Sequence, residues 1–116
     1  MRVADVNLLP RVEISPIGHA CFHNCVEIVQ MLINAGADVN YYGQFYQSPL
    51  DMAIIDNNDE LVNLLILAGA DVIREDVNGF TPLMVARFHA GALIQRILIG
   101  AGGIEYKRRR PDTREP

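Results

Sequence analysis

The sequence predicts an all-α repeat fold: a solenoid of about three stacked helix–turn–helix units with β-hairpin-like fingers. Three observations carry that expectation. Ser15-Pro16-Ile17, Ser48-Pro49-Leu50 and Thr81-Pro82-Leu83 recur at intervals of 33 residues. Ala20, Ala53 and Ala86 keep the same interval, as do Leu32, Leu65 and Leu98, and Gly36, Gly69 and Gly102. Ala37-Asp38-Val39-Asn40 has an identical copy in Ala4-Asp5-Val6-Asn7 and a looser one in Ala70-Asp71-Val72-Ile73. A period of this length marks a solenoid, because one such unit cannot bury its own apolar face and must stack on a neighbour.

Residues 1–14 read as the closing part of a partial N-terminal repeat and its finger. Val3, Val6, Leu8, Leu9, Val12 and Ile14 make this segment apolar. The expectation is that the N-terminal face is uncapped and docks on something, a second copy included, or that the chain is cut from a longer protein. Residues 15–40 form the first unit, 41–73 the second and 74–103 the third, followed by a basic tail over 104–116. Each unit opens on a hydroxyl, Ser15, Ser48 or Thr81, that can cap a helix by accepting from an orphan N–H. The proline behind it suits the first helical position, where no N–H is needed. The alanines at 20, 53 and 86 let neighbouring helices approach closely. A second helix follows with apolar groups at helical spacing: Ile28, Met31 and Leu32, then Leu61, Leu64 and Leu65, then Ile94, Ile97 and Leu98. The glycine behind it supplies the left-handed residue that ends such a helix.

Between the helices, Asn24 and Asn57 are suited to positive φ, and Ala90-Gly91 holds the third turn. Asp76-Val77-Asn78-Gly79 contains Asn-Gly, a strong hairpin signal. Arg87 stands where earlier units have Cys21 and Ile54, and Gln95 where they have Val29 and Val62. Polar residues in packing slots mark the third unit as a C-terminal cap.

These residues resemble the ankyrin repeat, whose pattern runs Asp-x-x-Gly-x-Thr-Pro-Leu-His-x-Ala, then a helix pair, then Gly-Ala-Asp-Val-Asn. The resemblance covers roughly residues 4–103. Unit three matches best, through Asp76, Gly79, Thr81, Pro82, Leu83 and Ala86. Unit two has Gly43 and Tyr46 in place of the finger Asp and Gly, and unit one has Pro10 and Glu13. The family's histidine, which ties adjacent loops together, is replaced by Gly18, Asp51 and Met84. Its loss implies modest stability rather than another fold.

The resemblance implies a non-catalytic adaptor or scaffold that binds a partner protein on a concave face of fingers and first helices. Carried over by position, that face holds Arg11, Phe22 and His23 in unit one. In unit two it holds Tyr42, Gln44, Phe45, Gln47, Ile55 and Asp56. In unit three it holds Val77, Asn78, Phe80, Phe88 and His89. Phe22, Ile55 and Phe88 stand one period apart and predict an apolar stripe. Aligned apolar and aromatic side chains are favoured anchors. The ligand this predicts is an extended peptide or a helix with apolar anchors, on a mildly acidic rim. Two other readings stand beside it: an assembly piece that oligomerises through the N-terminal face, and a regulatory domain of a larger enzyme.

Other chemistries find less support. The chain has 116 residues, half of them apolar, and a net charge of −4. Residues 1–103 carry 5 Lys/Arg against 11 Asp/Glu, so the body lacks the basic footprint of a nucleic-acid binder. No apolar run approaches the roughly 20 residues of a membrane helix. With no secretory signal pattern, an intracellular protein, cytoplasmic or nuclear, is expected. His19, Cys21, His23 and Cys25 are all potential zinc ligands, but helical residues two apart point about 200° apart and cannot converge. Cys21 and Cys25 are expected as free thiols. No nucleophile with its base, no phosphate loop and no cofactor motif is discernible. Lys107-Arg108-Arg109-Arg110-Pro111 reads as a solvated tail, with a nuclear-import signal as the alternative.

Overall fold

A computed structural model describes residues 15–41 and 47–105. Six helices follow one another: α1 (Pro16–Phe22), α2 (Val26–Asn34), α3 (Pro49–Ile55), α4 (Asp59–Leu67), α5 (Pro82–His89) and α6 (Ala92–Gly100). They form three helix–turn–helix units. Within each unit the two helices pack together, and across units α3 lies on α1 and α5, while α4 lies on α2 and α6. The result is a row of first helices backed by a row of second helices.

The helix starts follow from the repeated hydroxyls. Ser15 Oγ accepts from Gly18 N–H at 3.0 Å, Ser48 Oγ from Asp51 N–H at 3.1 Å and Thr81 Oγ1 from Met84 N–H at 3.3 Å. Ser15 Oγ also donates to the Tyr41 carbonyl at 3.3 Å, and Thr81 Oγ1 donates to the carbonyls of Ile104 and Glu105. One side chain therefore starts a unit and fastens the segment that leaves it. The second helices end as left-handed glycine caps. Gly36 has φ +93°, Gly36 N–H donates to Ile33 O at 3.0 Å, and Ala37 N–H to Leu32 O at 2.9 Å. That double bond pattern satisfies carbonyls the helix itself leaves orphaned.

The core runs through all three units: Ile17, Leu50 and Leu83 from the first helices, Leu61, Leu65, Ile94 and Leu98 from the second. Ala20, Ala53 and Ala86 are buried where first helices meet, as small residues must be for close approach. Cys21 and Cys25 are free thiols, and Cys21 is buried.

Polar side chains add links between units. Asn24 and Asn57 hold the first two turns at φ 63° and 54°. Asn58 Nδ2 donates to Asn24 Oδ1 at 2.7 Å, and Gly91 N–H donates to Asn57 Oδ1 at 2.9 Å. Asn40 reaches from unit one to unit two: its Nδ2 donates to Gly69 O at 3.2 Å and its Oδ1 accepts from Asp71 N–H at 2.7 Å. Arg74 Nη1 donates to the Asn40 carbonyl at 3.2 Å. At the matching position Ile73 cannot repeat the clasp. We expect Asn40→Ala to cost about 1–2 kcal/mol, since two inter-unit bonds are lost together. Urea unfolding followed by circular dichroism measures this, and an unchanged midpoint would contradict it.

Ala90-Gly91 holds the third turn, through extended backbone: Ala90 at φ −123°, ψ 159° and Gly91 at φ −79°, ψ 179°. Helix α5 runs on to His89, so the chain turns through extended residues instead. The third finger is a turn, and no strand forms among the described residues. Asp76 N–H donates to Phe80 O at 2.8 Å, as a hairpin would. The Asp76 carboxylate also accepts from Asn78 N–H at 2.8 Å and from Phe80 N–H at 3.0 Å. A side chain thus takes amide hydrogens that a ladder would need. Residues 42–46 of the second finger lie outside the described residues.

Candidate functional site

The first helices end in a repeated pair, Phe22-His23, Ile55-Asp56 and Phe88-His89. Ile17, Leu50 and Leu83 anchor the opposite side of these helices in the core, which leaves the last-turn residues facing out. Phe22 is 60%, Ile55 39% and Phe88 71% exposed. His23, Asp56 and His89 beside them are exposed as well. Because α1, α3 and α5 pack side by side, the three apolar groups occupy equivalent points of adjoining helices.

The surroundings hold these groups in place. Phe80 is half-buried and sets its ring against Phe88, with centroids 5.9 Å apart. The Phe22 ring stands edge-on to His23 at 5.1 Å, and His23 stacks on His19 at 5.6 Å. In the third finger, Val77 is 66% exposed and Asn78 is exposed at the tip of the Asp76 turn. These side chains offer apolar surface with scattered polar groups, and no array of donors aimed at one point.

Gln47 does not join the outward set. It is half-buried, and its Oε1 is buried without a hydrogen-bond partner among the described residues. It sits just ahead of the Ser48 cap. Arg11, Tyr42, Gln44 and Phe45 lie outside the described residues.

Asp51 was legible only as a departure from the family pattern. Asp51 is 2% exposed, and its Oδ1 has no hydrogen-bond partner among the described residues. Burial first, then the nearby Asp76 charge, push its carboxyl up to about 7, against the partial pull of hydrogen bonds to Ser48. Cys21 is likewise pushed up to about 12, by burial and then by the Asp56 charge, so it stays a thiol. Protonated and enclosed, it is a poor nucleophile and a poor metal ligand. Among the described residues no group of three or more His, Cys, Asp or Glu is placed to hold a metal ion. No helix among them is long and apolar enough to cross a membrane.

Ile28 and Met31, which helical spacing places on the apolar face of α2, are 49% and 66% exposed. At the other end, Arg87 Nη1 donates to Gln95 Oε1 at 3.2 Å, and Arg87 Nε pairs with Glu105. Gln95 Nε2 donates to Ala90 O at 3.2 Å.

A family model described as ankyrin repeats (3 copies) matches residues 17–110. No curated protein matches the chain.

Proposed function

Because the chain belongs to the ankyrin-repeat family, whose repeats are generally protein–protein interaction modules, we propose that it is a non-catalytic adaptor that binds a partner protein across α1, α3 and α5. The observation that carries this reading is the exposure of Phe22, Ile55 and Phe88 at one slot of three successive units. Apolar groups exposed in register are costly to leave in water and are strong anchors once covered. Neighbouring helix axes lie about 8–10 Å apart, so anchors on the ligand should recur at about that spacing. Heptad positions of a helix meet this requirement, and so does every third residue of an extended peptide. Asp56 and the half-buried Glu75 and Asp76 add a mildly acidic border.

The test is capture of partners by the immobilised chain from cells that express it. Phe22→Ala with Phe88→Ala should reduce capture at least tenfold, since each anchor contributes on the order of 1 kcal/mol or more. The folding of the variant should be unchanged, because both rings are mostly exposed. Undiminished capture by the folded double variant would reject this face.

A further inference from the structure

Asn78 is the one asparagine in the chain that a glycine follows. It stands in the third finger, and both Asn78 and Gly79 are exposed. An asparagine carboxamide is open to attack by the main-chain nitrogen of the next residue, because Cγ, Cβ, Cα, C and that nitrogen close a five-membered ring. The attack needs a carboxamide loose enough to turn onto the nitrogen, and a nitrogen that no side chain shields.

The structure sets Asn78 apart on both counts. Asn24 Oδ1 accepts from Asn58, Asn34 Oδ1 from Gln30 and Asn57 Oδ1 from Gly91 N–H. Asn40 and Asn58 engage both ends of the carboxamide. Asn63 lies inside α4, where the next N–H belongs to the helix ladder. The Asn78 carboxamide holds no hydrogen bond among the described residues; its bond to Asp76 runs through the main-chain N–H. Gly79 has φ +85°, and among the described residues nothing lies within 4 Å of the place a Cβ would take. Glycine lets the backbone be approached closely.

What restrains the attack is the turn itself. Gly79 N–H donates to the Asp76 carbonyl at 2.9 Å, and an amide has to give up that proton before it attacks. The Asp76 carboxylate accepts from the N–H groups of Asn78 and Phe80 at 2.8 and 3.0 Å, and Asp76 N–H donates to Phe80 O at 2.8 Å. Asp76 thus clasps the turn through its carboxylate, its carbonyl and its N–H. Reaction waits on local opening, which exposed turns with few buried contacts undergo most readily.

We propose that Asn78-Gly79 is a site of deamidation whose rate the Asp76 clasp governs. Hydroxide takes the Gly79 amide proton, and the nitrogen bonds to Asn78 Cγ. The Cγ–Nδ2 bond breaks, and ammonia leaves after taking a proton from water. Water then opens the resulting succinimide. Addition at Cγ leaves aspartate; addition at the main-chain carbonyl leaves isoaspartate, whose backbone passes through Cβ and is one methylene longer. Either product sets a new carboxylate near Glu75 and Asp76. Isoaspartate also draws the Gly79 and Phe80 amides out of register with Asp76. Phe80 lies against Phe88, so the change reaches an anchor of the face assigned to partner binding. That consequence rests on the partner-binding reading; the deamidation does not.

The test follows the full chain at neutral pH by peptide mapping, which reads the amide-to-acid mass gain at each asparagine and separates aspartate from isoaspartate. Asn78 should convert ahead of every other asparagine, with isoaspartate among the products. Asp76→Ala, keeping the wild-type circular dichroism, should convert at least about tenfold faster than the folded wild type, since it loses two bonds to a carboxylate. Asp76→Asn keeps an acceptor oxygen and should fall between the two. In guanidinium chloride the turn is gone, and all three chains should convert at one fast rate. Earlier conversion at another asparagine would overturn the proposal. So would equal rates for folded wild type and Asp76→Ala, or equal rates for the wild type folded and in guanidinium chloride. The last comparison needs no variant.

Discussion

Replacing Asp51 with asparagine should remove a pH dependence that the wild type carries at the centre of its stack. Unfolded, this carboxyl ionises near its ordinary value of 3.8; folded, it holds its proton up to about 7. Between those values the unfolded chain has released a proton that the folded chain keeps. Stability from this residue is therefore fully present below about pH 4, falls as pH rises to about 7, and is flat beyond about pH 8. A shift of that size corresponds to at most about 4 kcal/mol. Asp51→Asn is neutral throughout and escapes the loss. Thermal unfolding of both proteins from about pH 5 to pH 8 should show the wild type losing about 10 °C or more relative to the variant. Parallel curves would mean that the carboxylate is well solvated in the fold.

The second large effect compares one slot in two settings. Leu61→Ala removes an enclosed side chain between units one and two and should cost about 3–4 kcal/mol. Ile28→Ala, in the same slot of α2 but 49% exposed, should cost under about 1 kcal/mol. A domain of this kind has about 5–15 kcal/mol in total to lose. Because stability in a solenoid resides largely in nearest-neighbour interfaces, Leu61→Ala also weakens the hold of unit one on unit two. Chemical denaturation should then broaden for Leu61→Ala and not for Ile28→Ala. Equal costs for the two would mean that unit one is as well covered as unit two.

Features that repeat within the chain were legible before any coordinates. Ser15, Ser48 and Thr81 start helices because a hydroxyl followed by proline suits that backbone geometry in any surroundings. Gly36 and its successors end helices for an equally local reason. Asn24 and Asn57 adopt positive φ as expected, but their bonds to Asn58 and Gly91 join residues 34 apart. Such links depend on how units seat on one another, and no local pattern encodes that. The Asn40 clasp is of the same kind. In the candidate site, Phe22, Ile55 and Phe88 could be read from their period, whereas the burial of the Gln47 carboxamide oxygen could not. Burial of Asp51 was hidden for a related reason: a carboxylate in a slot occupied by glycine and methionine elsewhere reads as a surface residue until neighbours enclose it. Helical spacing also cannot tell Ile28 from Leu61, because spacing identifies the face of a helix and not whether anything lies against it.

The packing of α1 on α3 on α5, and of α2 on α4 on α6, has a mechanical consequence. A load applied along the stack passes through two unit–unit joints in series, so their compliances add. Each joint yields on its own, and the molecule should stretch as a short spring before any single unit unravels. A ligand that bridges all three first helices would act as a splint in parallel with both joints. Single-molecule pulling would register such a ligand as a stiffer trace, even where the helices themselves do not move.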